Sequence, residues 1–149
     1  MKRILAVASG GGHWTQLARM SEAFEGFDTL YVTTIRGAAS PSGVHPVECV
    51  EDGSRSSPVR LVRLSLQLTG ILLRFRPDVI VTTGAAPGLA ALILGKLAGC
   101  RTLWIDSIAN GSSLSMSGRL AARWSDLLLT QWEDLATPVS GARYFGRVF

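Results

Sequence analysis

The chain alternates short apolar runs with longer amphipathic stretches, and this alternation is what most limits its possible folds. Short, continuous apolar runs predict strands buried on both faces, and helices between them predict a parallel sheet. Right-handed crossovers then give an α/β fold with one doubly wound, mostly parallel, Rossmann-like sheet. The predicted strands are Arg3–Ala8, Thr29–Thr34, Pro46–Val50, Val79–Thr83, Thr102–Asp106 and Leu127–Thr130; the predicted helices are His13–Glu25, Pro58–Phe75, Gly88–Ala98 and Leu114–Trp124.

Length and composition narrow the class of protein. The chain has 149 residues, of which 47% are hydrophobic and 17% charged, and its formal net charge is +4. This length predicts a single domain over residues 1–149 and excludes separate cofactor and substrate domains. The apolar content excludes an intrinsically disordered chain. The longest apolar run, Val79–Gly95, contains Gly84, Pro87 and Gly88, so it predicts a strand, a turn and a helix rather than a membrane span.

Several site classes are not expected. The two cysteines, Cys49 and Cys100, are too few for a disulfide scaffold in a chain of this length. The sequence contains no CxxC, HExxH or DxD motif, so neither a zinc site nor a metal-bridged sugar nucleotide is expected. The apolar run after Arg3 is too short for a signal peptide. These absences predict a cytoplasmic protein without a metal or a cofactor.

Three loops are expected to meet at one edge of the sheet. Ligands of doubly wound sheets bind at the carboxyl ends of the strands, where the strand order reverses. If the first and fourth predicted strands are neighbours, Ser9–His13 lies beside Thr83–Gly88. The next strand brings Asp106 and Ser107 to the same edge. The sequence therefore predicts a ligand site there.

The run Gly10, Gly11 and Gly12 joins the first strand to the first helix. Glycines let the backbone approach a ligand closely, and helix N–H groups favour an anion. The third glycine of a dinucleotide fingerprint would fall on Thr15, and no P-loop lysine is present, so neither motif applies. A tight turn without a ligand is the alternative.

His13 and Asp106 are the candidate catalytic residues. Histidine is a suitable general base near physiological pH, and His13 stands at a glycine-rich loop; the alternative is a residue that caps the helix or packs against Trp14. Asp106 ends an apolar strand, where a carboxylate needs polar partners. It is expected either to bind substrate hydroxyls or to cap the following turn.

The predicted helix Pro58–Phe75 is unusual. Between Gly53 and Pro77 there are five arginines and no acidic residue. On a helical wheel a narrow stripe contains Arg60, Arg63, Gln67, Gly70 and Arg74. A wide apolar face with a basic edge suits contact with an anionic membrane surface through Arg60, Arg63 and Arg74. The alternative is a buried crossover helix whose arginines reach solvent. Nucleic acid is not an expected partner, because the stripe lacks interleaved aromatic residues.

Motifs along nearly the whole chain resemble one known family. They are Ser9–His13 with Gln16-Leu17, Ser54-Arg55, Arg76–Ile80, Thr83–Pro87, Ile105–Ser107, Leu114–Arg119, Asp126 with Gln131-Trp132, and Tyr144–Gly146. The sequence is similar to the acceptor-side subunit of split, two-chain glycosyltransferases, which act in asparagine-linked glycosylation and in bacterial capsule and exopolysaccharide biosynthesis. The resemblance implies the N-terminal half of a glycosyltransferase B-type fold.

The resemblance also implies partners and a location. This chain would bind a lipid-linked sugar acceptor at the cytoplasmic face of the cell membrane, as a peripheral protein, and a second chain would bind the UDP-sugar. The eukaryotic subunit carries an N-terminal anchor that has no counterpart here and a Glu where Asp106 stands, so the bacterial branch is expected. The loops and the resemblance together give these expected substrate-binding residues: Ser9, Gly10, Gly11, Gly12, Gly84, Pro87, Ser107, Ser115, Ser117, Gln131 and Trp132.

The expected reaction is an inverting sugar transfer without a metal. His13 would take the proton of the acceptor hydroxyl, and Asp106 would orient the acceptor sugar or act as the base itself. Two other classes of function stay open at this point. One is a non-catalytic recruiter that brings a catalytic partner to the membrane, and the other is a nucleotide-binding Rossmann protein that works alone.

Overall fold

The computed structural model describes residues 1–53 and 57–148. The strands are β1 Arg3–Ala8, β2 Asp28–Thr33, β3 Val47–Cys49, β4 Val79–Gly84, β5 Arg101–Ile105, β6 Leu127–Thr130 and β7 Arg143–Tyr144. The helices are α1 Gly12–Arg19, α2 Pro58–Phe75, α3 Ala85–Leu97 and α4 Met116–Ala121, with short 3₁₀ turns at Ser21–Phe24 and Glu133–Leu135. None of the helices within the described ranges is long and apolar enough to cross a membrane.

All seven strands lie parallel in one sheet, in the order β3-β2-β1-β4-β5-β6-β7. The predicted doubly wound α/β fold is therefore confirmed. The order reverses between β1 and β4, because the chain builds β2 and β3 on one side of β1 before it crosses to β4. This is the place where the carboxyl ends of the strands leave a crevice for a ligand.

Some predicted elements differ in their bounds. The predicted helix His13–Glu25 is divided at Met20, whose N–H bonds the carbonyl of Leu17 in the tighter 3₁₀ pattern. The predicted helix Leu114–Trp124 is shorter because Ser115 caps its first turn, accepting the N–H of Gly118. Strand β7 was not predicted: it is two residues long and has no apolar run.

The two faces of the sheet are covered unequally. Helices α2 and α3 bury the side of β1 that carries Leu5 and Val7, and α4 joins the same layer beside Trp104. The opposite side, which carries Ala6 and Ala8, is covered by α1 and the turn Ser21–Phe24. Three of the four helices therefore lie on one side of the sheet.

One ion pair links α3 to the sheet and makes stability depend on pH. Asp126 accepts hydrogen bonds from the ammonium of Lys96 and from the backbone and hydroxyl of Thr102. The hydrogen bond from Lys96, followed by that from the Thr102 backbone, holds the pKa of Asp126 below its ordinary value. Such a carboxylate stabilises the fold above its unfolded pKa, and this stabilisation is lost as the pH falls through the folded pKa.

We therefore expect Asp126→Asn to be less stable than the parent at neutral pH, and the difference to shrink below about pH 4. Urea unfolding at a series of pH values measures this. Asp134→Asn is the control, because no cation in the described part of the chain pairs with Asp134. A difference that stays constant over the pH range would contradict the assignment.

Candidate functional site

His13 and the end of β4 hold each other in place at the carboxyl edge of the sheet. The ring Nδ1 of His13 lies 3.0 Å from the carbonyl oxygen of Thr83, and the Thr83 hydroxyl donates to the carbonyl of His13 at 2.6 Å. A Cβ at Gly84 would lie 2.8 Å from that same Nδ1, so only glycine leaves room for the ring. The structure thus brings together the first two of the three predicted loops.

The contact with Thr83 also assigns the protonation of the ring. A carbonyl oxygen only accepts hydrogen bonds, so Nδ1 carries the proton and donates it to Thr83. In a neutral imidazole the second nitrogen, Nε2, is then an unprotonated acceptor. His13 is half-buried, and in this tautomer Nε2 is the ring nitrogen left to accept a proton.

Two helices begin at this edge without side-chain caps. Gly11, at φ 70°, precedes α1, and Gly84, at φ 131°, precedes α3. Neither helix has an acidic residue in its first turn, so the positive ends of both helices lack a compensating carboxylate. Gly10 donates its backbone N–H to the Thr34 hydroxyl. The edge is therefore suited to an anion.

The predicted glycine-loop and α3 residues lie as expected around these helix ends. Gly11 and Gly12 are exposed, Ser9 and Gly10 are half-buried, and Pro87 is buried in the first turn of α3. The exposed glycines leave backbone N–H groups accessible to a ligand. Binding by these residues stays a prediction.

The side chain of Asp106 is buried and bonded to protein groups rather than exposed to solvent. It is 2% exposed, and its carboxylate accepts three hydrogen bonds. The donors are the indole of Trp104 at 3.0 Å, and the backbone and hydroxyl of Ser115 at 2.9 and 2.6 Å. This arrangement ties the loop before α4 to β5. A catalytic role for Asp106 stays a prediction, but the geometry favours a structural one.

A second buried network joins Gln16, Ser107 and Gln131. The Gln16 amide donates to the Ser107 hydroxyl at 3.0 Å, and the Gln131 amide donates to the side-chain Oε1 of Gln16 and to the backbone carbonyl of Asp106. Gln131 also accepts the backbone N–H of Val148 at 2.8 Å, near the end of the chain. These side chains connect α1, the loop after β5 and the C-terminal segment. Their described hydrogen bonds go to protein groups, so substrate contact by Ser107 and Gln131 stays a prediction.

The remaining predicted residues lie around the same loops. Trp132 donates its indole N–H to the carbonyl of Ile108, and the guanidinium of Arg147 lies 4.3 Å from its ring centre. Ser117 is half-buried in the first turn of α4, facing a groove beside α3. Ser54 and Arg55, which form one piece of the resemblance, lie outside the described residues.

The arginine stripe of α2 faces the edge strand β3. Arg74 pairs with Glu48, and Arg60 lies 3.8 Å from Glu51. No carboxylate in the described ranges pairs with Arg63. The side of α2 that points away from the sheet is apolar and between 58% and 71% exposed; we call it the outer stripe, and it consists of Val59, Val62, Leu66 and Leu73.

Comparison with known proteins decides the family. Residues 44–148 match the profile of the family described as "Oligosaccharide biosynthesis protein Alg14 like". The chain belongs to the Alg14 family. The "UDP-N-acetylglucosamine transferase subunit ALG14" of Eremothecium gossypii is 31% identical over 93% of this chain and 55% of its own length. The subunit of the same name from Mus musculus is 27% identical over 98% of this chain and 82% of its own length.

These relatives are eukaryotic, so they give no support for the bacterial branch. The chain spans little more than half of the Eremothecium relative. The profile match begins after His13, so it does not include the glycine loop. The pairwise match over 93% of the chain is what extends the Alg14 similarity toward that loop.

Solved structures agree with the fold of this Alg14-family chain. MurG of Acinetobacter baumannii superposes with a TM-score of 0.78 at 12% identity, over 97% of this chain and 45% of that one. MnaA of S. aureus, solved with UDP, gives a TM-score of 0.73 at 11% identity, over 99% of this chain and 46% of that one. The chain therefore has the fold of one Rossmann-like half of a glycosyltransferase B-type protein.

Two residues of this Alg14-family site were not predicted as site residues. Thr83 fixes His13, and Gln16 anchors α1 to the loop after β5. Gln16 stands three residues after His13, a spacing that places both on one side of a helix. The family motifs include both Gln16 and Thr83, and they were the signal that sequence reasoning had for these residues; the spacing from His13 was a second signal for Gln16.

The surroundings of Gly118, in the segment Leu114–Arg119, explain why glycine stands at this position. A Cβ at Gly118 would lie 2.5 Å from Asp106 Oδ1 and 2.9 Å from the Ser115 hydroxyl. We expect Gly118→Ala to lower the free energy of unfolding by about 1–3 kcal/mol, because the added Cβ forces the side chains of Asp106 and Ser115 to move. Chemical denaturation measures this.

Gly70→Ala is the matched control for Gly118→Ala. Gly70 lies inside α2, where an added Cβ meets nothing within 4 Å. Alanine there should stabilise the protein by about 0.5–1 kcal/mol through helix propensity. Equal effects of the two substitutions would show that the contacts with Asp106 and Ser115 do not require glycine at residue 118.

Proposed function

We propose that this chain is the acceptor-binding, membrane-associating subunit of a two-chain inverting glycosyltransferase. The enzyme moves a sugar from a UDP-sugar to a lipid-linked saccharide, and the second chain binds the nucleotide. The observation that carries the proposal is the position of His13. The ring lies at the carboxyl edge of the sheet, between the uncapped starts of α1 and α3, and its neutral form has an unprotonated Nε2.

The proposed step follows from these groups. The uncapped helix ends, with Gly10–Gly12 and Gly84, bind the diphosphate of the lipid carrier or of the donor. The acceptor hydroxyl oxygen forms a bond to the anomeric carbon, and the bond from that carbon to the UDP oxygen breaks. UDP leaves with the electron pair, and the hydroxyl proton passes to Nε2 of His13. Thr83 stabilises the ring in the tautomer that this step needs.

The donor and the product are finer parts of the proposal. The names of the Eremothecium and mouse relatives point to UDP-N-acetylglucosamine as the donor to test first. A product in bacterial capsule or exopolysaccharide synthesis rests only on the sequence resemblance. Analysis of the transferred sugar and of the acceptor would distinguish these products.

The test is reconstitution with the partner chain. We expect this chain and a nucleotide-sugar-binding partner to transfer labelled N-acetylglucosamine from the UDP-sugar to a polyprenyl-diphosphate acceptor only when both are present. Transfer by this chain alone would contradict the two-chain proposal. Undiminished transfer by the partner alone would support the recruiter instead.

We also propose that the chain lies peripherally on the cytoplasmic face of the cell membrane, with α2 toward the lipid. The outer stripe supplies exposed apolar side chains, and Arg63 beside it lacks a carboxylate partner in the described ranges. A helix with an apolar face and a basic flank suits an anionic lipid surface. Arg60 and Arg74 are exposed as well, although Glu51 and Glu48 compensate part of their charge.

Vesicle binding tests this orientation. We expect Arg63→Gln to weaken binding to vesicles that contain phosphatidylglycerol by about fivefold at low salt, since one basic residue contributes about 1 kcal/mol near such a surface. Arg101→Gln is the matched control, because Arg101 begins β5 at the opposite edge of the sheet. Co-sedimentation gives the affinities. Equal losses in the two variants would contradict the proposed orientation.

A further inference from the structure

Helix α3 leaves one of its sides uncovered between α2 and α4. The helix is apolar around most of its circumference, and the space beside it forms a groove of about 350 Å³. Leu61 and Ser65 of α2 form one wall, and Ser117 and Leu120 of α4 form the other. No charged side chain lines the groove within the described residues. We call it the α3 groove.

The α3 groove begins at the candidate site. Ala86, in the first turn of α3, lines it and follows Gly84 by two residues, and Gly84 contacts the ring of His13. Ala90 and Leu94 continue the same side of the helix, one turn apart. From Ala86 to Leu94 the groove follows the helix for about 12 Å at 1.5 Å per residue. It therefore leads away from an edge suited to an anion along a continuous apolar path.

This arrangement fits a molecule with an anionic head and a long apolar tail. The uncapped starts of α1 and α3 suit the head, and the α3 groove suits the tail directly behind it. Beyond the groove, the path meets Leu97, which is 70% exposed, so a longer tail has further apolar surface to follow. Each methylene taken out of water strengthens binding by about fourfold.

We propose that the α3 groove holds the first part of the polyprenyl chain of the lipid-linked acceptor. This inference rests on the proposed function and goes beyond it, because it places the lipid tail against the protein rather than wholly in the bilayer. The groove then positions the diphosphate at the helix ends, and with it the sugar beside His13.

Direct binding of soluble probes tests the inference without sugar transfer. Calorimetry on the full chain compares geranylgeranyl diphosphate, below its aggregation concentration, with inorganic pyrophosphate. We expect the prenyl compound to bind at least about tenfold more tightly than pyrophosphate, because its tail leaves water. Equal affinities for the two probes would overturn the proposal.

Two variants test whether the prenyl tail of the probe lies in the α3 groove. Leu61→Asp places a charge in the wall of the α3 groove, whereas Leu66→Asp places the same charge on the outer stripe of the same helix. Leu61 is 39% exposed and Leu66 is 68% exposed, so both aspartates reach solvent and the fold is retained. We expect Leu61→Asp to weaken the binding of geranylgeranyl diphosphate by about tenfold more than Leu66→Asp does. Equal losses, or a larger loss in Leu66→Asp, would overturn the proposal.

The proposed function and the assignment of the α3 groove can be contradicted independently of each other. If the reconstituted pair transfers no sugar while the prenyl probe still depends on Leu61, the proposed function fails and the groove stands as a prenyl site. If transfer to an acceptor with a short, soluble tail proceeds while the two aspartate variants bind the probe equally, the function stands and the groove assignment fails.

Discussion

Replacing His13 with alanine is expected to lower the turnover number of the reconstituted two-chain enzyme by about 10²–10⁴-fold. The variant loses Nε2, which the hydrogen bond to the Thr83 carbonyl makes the accepting nitrogen of the neutral ring. The acceptor KM should change little, since the helix ends proposed to bind the diphosphate and the α3 groove proposed to hold the prenyl chain are both intact. Initial rates with UDP-N-acetylglucosamine and a polyprenyl-diphosphate acceptor separate the two quantities.

Two further variants show whether a loss comes from proton transfer. His13→Asn retains an N–H that is able to bond the Thr83 carbonyl but offers no basic nitrogen, so it should be as inactive as alanine. His45→Ala removes the other histidine, which lies with Arg3 and Asp28 at the opposite edge of the sheet, and should keep full activity. Near-normal turnover in both His13 variants would place the base elsewhere and favour the recruiter.

Replacing Asp106 with alanine is expected to give the largest loss of stability among the variants considered. The carboxylate is 2% exposed and accepts the N–H groups of Trp104 and Ser115. Without it, these two buried donors lose their partner, at about 1–3 kcal/mol each, so the free energy of unfolding should fall by about 2–6 kcal/mol. Chemical denaturation of the purified chain measures the change.

Asp106→Asn distinguishes a structural role from a catalytic one. It preserves the shape but turns an accepting oxygen into a donor that faces Trp104 or Ser115, so an intermediate loss of stability is expected. Assays below its unfolding transition should then find most of the activity retained. A folded Asp106→Asn protein without activity, beside an active His13→Ala, would reverse the roles of the two residues.

The architecture was predictable because apolar runs report strands that are buried on both faces. Each of the six predicted strands exists, and the adjacency of β1 and β4 placed Ser9–His13 beside Thr83–Gly88 as expected. The bounds of helices were less predictable, since they depend on caps such as Ser115, whose effect is decided by a few atoms. Strand β7 had no signal, because two residues carry no periodicity.

The sequence predicted which edge of the sheet the glycines and His13 reach, but not the surroundings of the polar residues; binding and catalysis by these residues stay predictions. Substrate contact was expected of Asp106 from its position at a strand end and of Gln131 from the family resemblance, whereas both side chains are buried and bonded to protein groups. Sequence position indicates which edge a residue reaches, whereas its partners come from distant segments. Likewise, the arginine spacing in α2 was visible, but the carboxylates Glu48 and Glu51 that face it lie on another element.

The reciprocal hydrogen bonds between His13 and Thr83 join two segments that are 70 residues apart in the sequence. They hold the loop before α1 against the start of α3, so the separation between Nε2 of His13 and the backbone proposed to bind the diphosphate is set by these contacts. Under the proposed mechanism this separation fixes the distance between the lipid phosphate and the general base. The hydroxyl that receives the sugar is then selected by its distance from that phosphate, and the regiochemistry of the linkage is a property of the fold.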